Sequence, residues 1–468
     1  MLHFLLHAQN NSVYEQDIVD EGNILKNFNV PADYNASCAK AELKLFNFAD
    51  YIYSPKLLQS LNPPGSVPQY VESGSIDKGA WGRGYFTKWV DSYLFSNIDI
   101  SKSNYLGLWK GIGDKTKHYW ETNPDLSYCS KVLLYTIYWS KTHSYPPKYI
   151  SRIKDGLSYL LNKQQPDGGF IQYWYRKSQT DPAPDMTVDR ETSYATGDVL
   201  RSLVESYFFF KDNVKGDNKV LLSNLKTAID KGGSYLISKQ CYIEEGNNNY
   251  KCFSIWGLAS AYKITGTKIF IDSAVSKYYS IRGNQNIDGA WYIPDYDSKN
   301  EKIKNFHDTH PDYMGIILRG LSELYSVLPN NYSDRSGSIV IKNDIRKNVC
   351  LTINNFLRLN MSNGQQEPRV SPAGMIKPYK SETEYINGSF YALNLIHGLR
   401  YVESCNDSLK LNSVLLSKLI DILMIPHINQ INSVKFPDEV NQDDNMISFG
   451  LNLAPGQLSK IYSLYKQD

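Results

Sequence analysis

The sequence has few cysteines and no long apolar run. Six cysteines are scattered over 468 residues without a C-x-x-C pair, which argues against a zinc knuckle, a redox motif or a disulfide framework. No stretch approaches the roughly 18 consecutive apolar residues that a membrane-spanning helix needs. The opening residues Met1–Ala8 lack a basic segment, so no secretion signal is predicted and we expect a cytoplasmic protein by default.

The sequence also lacks a charge excess of either sign. The 50 Lys and Arg residues are balanced by 48 Asp and Glu, which leaves a formal net charge of +2. This balance predicts no general affinity for nucleic acid or for a membrane surface. Tyrosine is abundant instead, with 36 residues beside 8 Trp. Such rings either fill a wide core or stack on flat ligand faces, and Trp81, Trp174 and Trp291 are candidates for stacking or for sealing helix seams.

A helical unit of about 50 to 60 residues recurs along the chain, longer than the common short helical repeats. Helices that are apolar all round alternate with amphipathic helices, a pattern that predicts two packed layers. The predicted helices are Leu126–His143, Lys148–Lys163, Glu191–Phe210, Val220–Ser238, Cys252–Lys263, one ending near Tyr279, Pro311–Leu328, Ile341–Leu359, Ser389–Glu403 and Leu409–Leu423, with further candidates at Cys38–Tyr53, Arg83–Leu94 and Met446–Leu464.

No linker-like segment divides the chain. The nearest to one is the Pro-rich loop at residues 61–68. We therefore expect residues 1–70 to form an N-terminal cap or first hairpin, and residues 71–468 to form one continuous domain.

Two loops share the pattern Gln-x-x-Asp-Gly-x-aromatic, namely Gln164–Phe170 and Gln285–Trp291. In such a turn Gln can cap a helix end, Asp can accept bonds from nearby amides, and Gly can take a positive φ. The aromatic residue then fills the seam between helical hairpins. The place of Trp291 within this motif favours a seam role for that residue.

These loops resemble the Q-x-x-D-G-x-W segments of squalene–hopene cyclases. They are also similar to turns of prenyltransferase β subunits and of α/α-toroid polysaccharide lyases and glycosidases. The resemblance implies an all-α chain whose hairpins close into an (α/α)6-like toroid. It also implies that substrates enter at a rim formed by the N-termini of the inner helices. The motif is typical of an architecture rather than of one reaction.

Ionisable residues just before the apolar helices are the candidate site, because helix N-termini favour anions. Each group also fits an ordinary helix N-cap. The proposed catalytic residues are His310 and Tyr313 as acid or base, with Asp189, Glu191 and Asp308 as carboxylates. The proposed substrate-binding residues are Arg190, Arg369, Tyr194, His307, Glu384, Trp81 and Arg83. No cofactor or metal is predicted, because His307-Asp308-Thr309-His310 lacks the helical spacing of zincins.

Several reactions fit these residue types. Glycoside hydrolysis needs two facing carboxylates, whereas a lyase or epimerase needs a charge-neutralising group and a Tyr or His to remove a proton. The sequence therefore predicts an enzyme acting on an oligo- or polysaccharide, with uronate-containing chains among the candidates, and leaves hydrolase against lyase or epimerase open. A terpenoid cyclase or prenyltransferase is one alternative, although Asp295-Tyr296-Asp297-Ser298 does not complete the D-x-D-D motif. A non-catalytic helical-repeat binding protein is the other.

Overall fold

The computed structural model is almost entirely helical over the residues it describes. These are residues 17–41, 119–122, 137, 140, 147–170, 173–176, 192–238, 248–291, 295–296, 302–303, 311–330, 332, 341–362, 365–370 and 389–433. Their helices are α1 (Pro147–Lys163), α2 (Thr192–Asp212), α3 (Lys219–Leu236), α4 (Asn248–Thr265), α5 (Lys268–Ile281), α6 (Pro311–Val327), α7 (Ile341–Phe356), α8 (Ser389–Ser404), α9 (Asn406–Leu409) and α10 (Ser413–Ser433). Short 3-10 turns lie at Ile24–Asn27 and Arg282–Asn284. None of the described helices is long and apolar enough to cross a membrane.

Three short antiparallel strand pairs accompany the helices within the described residues. Strand β1 (Tyr119–Thr122) pairs with β2 (Tyr173–Arg176), β3 (Asp295–Tyr296) with β4 (Lys302–Ile303), and β5 (Leu359–Ser362) with β6 (Gln365–Pro368). These strand pairs are absent from the sequence prediction, because segments of two to four residues are too short to show a strand period.

The prediction of an all-α chain of helical hairpins is confirmed. The predicted starts at Pro311, Ile341 and Ser389 coincide with the starts of α6, α7 and α8. The predicted helix Leu409–Leu423 differs, because Lys410 adopts a left-handed φ of 55° and separates α9 from α10. Helix α10 then continues through Pro426 to Ser433.

The chain divides into two compact units. Unit 1 comprises residues 1–37, 245–430 and 467, and unit 2 comprises residues 38–244, 431–466 and 468. Helices α1 to α3 belong to unit 2, and α4 to α9 with most of α10 belong to unit 1. The predicted division after residue 70 stays a prediction.

In unit 1, α6 packs between α4 and α8. The contacts advance together along the three helices: Arg319 contacts Trp256 and His397, and one turn later Glu323 contacts Ser260 and Tyr401. Residue numbers that rise together across a contact mean parallel helices. The N-termini of α4, α6 and α8 therefore lie at the same end of unit 1.

Close backbone contacts set the spacing of these helices. A Cβ atom added to Gly320 would lie 2.6 Å from the carbonyl oxygen of Cys252. One added to Gly398 would lie 2.5 Å from the carbonyl oxygen of Gly315. Both distances are too short for any side chain, so glycine is required at the two contacts.

The two predicted types of helix are present in unit 1. In α4 every residue from Cys252 to Ala261 is buried, as expected of a helix packed on several sides. In α5 one face is buried, while Ile269 on another face is 51% exposed. The predicted alternation of apolar and amphipathic helices is therefore confirmed for this pair.

The first Gln-x-x-Asp-Gly turn joins α1 to α3 within unit 2. The Gln164 amide donates to the carbonyl oxygens of Gly168 (2.9 Å) and Ala228 (2.8 Å). Asp167 accepts from the Gly169 amide at 3.0 Å, and Gly168 has a φ of 97°. The ring of Phe170 is fully buried. Each part of the motif therefore does what its chemistry predicts.

The second turn repeats this arrangement within unit 1. Gln285 donates to Gly289 (3.2 Å) and to the Asn348 carbonyl of α7 (3.0 Å), while Asp288 accepts from the Ala290 amide at 3.1 Å. Trp291 is fully buried, and its indole N–H donates to the Thr352 hydroxyl at 2.9 Å. The predicted seam role of Trp291 is confirmed.

We predict that Gly289→Ala destabilises the protein by at least about 2 kcal/mol, through strain at positive φ and a steric clash. The φ of Gly289 is 90°, and an added Cβ would lie 1.8 Å from the Leu351 carbonyl oxygen. Gly283→Ala is the matched control, because nothing lies within 4 Å of its added Cβ. Urea unfolding of both variants checks the prediction. Equal stability of G289A and G283A would contradict it.

Candidate functional site

Two of the predicted residue clusters adjoin helices whose N-termini lie together. Helix α6 begins at Pro311, directly after His310, and α8 begins at Ser389, two residues after Asn387. Because α6 and α8 are parallel neighbours, their first turns lie at the same end of unit 1, while the residues of the two clusters that precede these turns lie outside the described part of the chain. The third cluster precedes α2, which begins at Thr192 in unit 2.

Three of the predicted site residues fall within the described part of the chain. Tyr194 and Tyr313 are half-buried residues near the starts of α2 and α6. Arg369 follows strand β6 and is described in the next paragraph. The other predicted site residues lie outside the described residues, and these are Trp81, Arg83, Asp189, Arg190, Glu191, His307, Asp308, His310 and Glu384.

Arg369 lies fully buried at the C-terminal end of α7. Its guanidinium donates a short hydrogen bond to the side-chain oxygen of Asn355 and lies 5.3 Å from the ring centroid of Phe356. A cation near the last turn of a helix is stabilised by the carbonyl groups there. These contacts give Arg369 a structural role, while its role in binding substrate charge stays a prediction.

A buried cation lies in the middle of unit 1, in a group that we name the arginine layer: Trp256, Arg319 and His397. Arg319 is 2% exposed, and its guanidinium carbon lies 4.7 Å from the ring centroid of Trp256. One guanidinium nitrogen lies 3.1 Å from Nδ1 of His397. Stacking on an aromatic face compensates part of the cost of removing the guanidinium from water.

A buried carboxylate lies one turn further along the same helices, in the glutamate layer: Ser260, Lys263, Glu323 and Tyr401. Glu323 is 1% exposed, and it accepts hydrogen bonds from the Ser260 hydroxyl at 3.1 Å and from the Lys263 ammonium at 2.8 Å. The Tyr401 hydroxyl donates a further, short hydrogen bond. Donors from α4 and α8 thus satisfy a carboxylate that α6 buries, so the layer joins three helices.

The sequence analysis missed both layers, although a repeat in the sequence marks the arginine layer. The tripeptides Arg201-Ser-Leu, Trp256-Gly-Leu, Arg319-Gly-Leu and His397-Gly-Leu occur in α2, α4, α6 and α8. The predicted site residues lie around the helix starts, whereas these tripeptides lie two turns or more inside each helix.

Cys350 is a buried thiol of unit 1. Burial raises the pKa of Cys350 to about 12, so its thiol stays protonated and is a poor nucleophile. No group of three or more His, Cys, Asp or Glu side chains gathers there in a metal-binding arrangement. The cluster at His307 and His310 lies outside these residues.

We predict that Tyr401→Phe destabilises the protein by about 1–3 kcal/mol, because it removes one donor from the buried Glu323 carboxylate. Tyr325→Phe is the control, since the exposed Tyr325 hydroxyl bonds only weakly to the Ser408 carbonyl oxygen at 3.2 Å. This control should change the stability by no more than about 0.5 kcal/mol. Denaturant unfolding compares the two variants, and an unchanged midpoint for Y401F would count against the glutamate layer.

Comparison with known proteins gives matches in structure alone. No family model matches the sequence, and no curated protein matches it. A sugar epimerase from a ruminal bacterium matches at 12% identity and a TM-score of 0.43, covering 78% of this chain and 88% of its own. A family 88 glycosyl hydrolase from Bacteroides vulgatus matches at 11% identity and a TM-score of 0.44, covering 72% of this chain and 92% of its own.

A polysaccharide lyase also matches, at 11% identity and a TM-score of 0.45, covering 84% of this chain and 99% of its own. The names of these three proteins all refer to carbohydrate chemistry, but to different reactions. Similarities at this level assign neither an activity nor a substrate to the chain.

Proposed function

We propose that the protein is a carbohydrate-active enzyme, either a hydrolase or a lyase or epimerase, that acts on an oligo- or polysaccharide bearing acidic groups. The residue types that precede α6 and α8 in the sequence support this proposal. Helices α6 and α8 are parallel neighbours, and His310 precedes the start of one while Glu384 precedes the start of the other. The two sequences contain histidine, carboxylate and tyrosine residues, the types that proton transfer on a sugar requires.

The helix N-termini supply a reason for an acidic substrate. Free backbone N–H groups and the helix dipole make the first turn of a helix favourable for a carboxylate. The starts of α4, α6 and α8 lie at one end, so three such turns reinforce each other. Asn248 and Asn249 are buried at the start of α4, and Asn248 accepts a hydrogen bond from Asn284 at 2.7 Å.

The proposed roles follow from the chemistry of each residue. In a lyase or epimerase, His310 or Tyr313 removes the proton beside the uronate carboxylate, and an arginine such as Arg369 neutralises that carboxylate. In a hydrolase, two carboxylates such as Asp308 and Glu384 act as acid and as base or nucleophile. The two Gln-x-x-Asp-Gly turns support neither alternative, since their side chains serve structural contacts.

The experiment incubates the protein with a panel of uronate-containing and neutral polysaccharides and analyses the products. An unsaturated uronate, detected by its ultraviolet absorbance, identifies a lyase, and a new reducing end without it identifies a hydrolase. A change of sugar configuration without chain cleavage identifies an epimerase. The proposed function is wrong if no sugar in the panel is altered.

We predict that His310→Asn and Glu384→Gln each lower kcat on the sugar that is turned over by about a hundredfold or more, as expected for lost acid–base groups. Asp344→Asn is the matched control, because Asp344 lies in the first turn of α7 and forms an ion pair with Arg282 at 2.7 Å. Its kcat should stay unchanged. Full activity in both H310N and E384Q would remove these residues from the mechanism.

A further inference from the structure

We propose that one face of α7 is a binding site for an extended peptide segment, and that residues 17–21 of this chain, which we name the N-terminal strap, occupy it. The strap and α7 both belong to unit 1, although more than 300 residues separate them in the sequence. The strap is thus a ligand tethered to its own binding site. This inference is independent of the proposed function, since it uses none of the residues assigned to the sugar.

The central contact joins one side-chain amide of α7 to two backbone groups of the strap. Asn354 is 1% exposed, and its side-chain oxygen accepts a hydrogen bond from the Val19 N–H at 2.7 Å. Its side-chain nitrogen donates to the Asp17 carbonyl oxygen at 3.1 Å. Both groups of the amide therefore bind main-chain atoms, as in recognition of an extended peptide by a neighbouring strand.

The strap follows the direction of α7. Burial raises the pKa of the Cys350 thiol, and the nearby Asp17 carboxylate acts in the same direction, which places Asp17 in the neighbourhood of Cys350. Two residues further along the strap, Val19 bonds to Asn354, one turn further along α7. Two residues of an extended chain rise about 6.6 Å and four residues of a helix rise about 6 Å, so the two elements stay in step. Glu21 continues this order, because it pairs with Arg358 just beyond the end of α7, at 3.5 Å.

Two side chains of the strap define what the site prefers. The Asp17 carboxylate accepts a hydrogen bond at 2.6 Å from the backbone N–H of Asn412, directly before the start of α10, where the helix dipole favours an anion. Ile18 is 2% exposed, so its side chain is removed from water between the two backbone groups that Asn354 binds. The ligand that fits is therefore an extended peptide in which an apolar residue directly follows an acidic one.

The segment after the strap is shaped by a contact within itself. The two carboxylate oxygens of Asp20 accept hydrogen bonds from the backbone N–H groups of Ile24 at 2.6 Å and Leu25 at 2.9 Å. This contact closes the 3-10 turn Ile24–Asn27, in which Ile24 and Leu25 are buried. Because the turn is formed by local bonds, a peptide that contains it loses less conformational entropy when it binds.

The first test measures amide hydrogen exchange of the full-length protein by mass spectrometry. Asn354→Leu removes both partners of the strap backbone, so exchange in residues 17–28 should become about tenfold faster or more, while α4, α6 and α8 keep their wild-type exchange. Asn330→Leu is the matched control, because Asn330 is exposed and bonds to the Lys342 ammonium at 2.9 Å. Unchanged exchange of the strap in N354L overturns the proposal. An equal increase throughout unit 1 also overturns it, since the strap is then part of the core and not a bound ligand.

The second test adds a fluorescein-labelled peptide of residues 17–28 to the full-length protein and follows its anisotropy. In Val19→Pro the strap has no N–H for Asn354, so the site becomes available. The peptide should bind to V19P at least about tenfold more tightly than to the wild type, whose own strap competes at a high effective concentration. The same peptide carrying Val19→Pro is the control ligand and should not bind, and V19P combined with N354L should bind neither peptide. Absence of binding to V19P, or equal binding of the two peptides, overturns the proposal and leaves the proposed function intact.

Discussion

The contact of a glycine with a backbone carbonyl of a neighbouring helix controls the packing of α4, α6 and α8. Gly320 meets Cys252 in this way, and Gly398 meets Gly315. Each glycine directly follows the large polar side chain at its level, which is Arg319 in α6 and His397 in α8. The backbone contact therefore also determines where these side chains lie, and without it neither buried layer could form its hydrogen bonds.

The two Gln-x-x-Asp-Gly turns also pack a glycine against a backbone carbonyl oxygen of a helix. An added Cβ would lie 2.2 Å from the Lys231 carbonyl oxygen at Gly168, and 1.8 Å from that of Leu351 at Gly289. The glutamine four residues before each glycine also donates to a backbone carbonyl of the helix that the glycine contacts. Each turn therefore contacts its helix through a glycine that no other residue can replace. For this reason the motif is typical of an architecture rather than of one reaction.

The features that could be predicted from the sequence are local ones. A proline at the first helical position indicated the start of α6, and the residue types of Gln285–Trp291 predicted each contact made within that turn. The bonds of Glu323 to Ser260 and Tyr401 could not be predicted, because they depend on the register of helices far apart in the chain. The hydrogen bond from Arg369 to Asn355 could not be predicted either, because the sequence indicated only a charged residue at the rim.

The first position of the repeated tripeptide holds an arginine in both α2 and α6, and the two arginines make different contacts. In α2, Arg201 forms an ion pair with Glu205 one turn later, at 2.6 Å, which neutralises its charge within its own helix. In α6 the same spacing separates Arg319 from Glu323, but Glu323 accepts hydrogen bonds from α4 and α8, and Arg319 contacts Trp256 and His397.

The charges of Arg201 and Arg319 therefore contribute to the structure in different ways. An arginine paired with a carboxylate in its own helix contributes only to local stability, by a modest amount near a surface. Arg319 instead lies against Trp256 of α4 and His397 of α8, so its contacts depend on the packing of three helices. Substituting Arg201 should therefore disturb contacts within α2, whereas substituting Arg319 should disturb the packing of α4, α6 and α8 against one another.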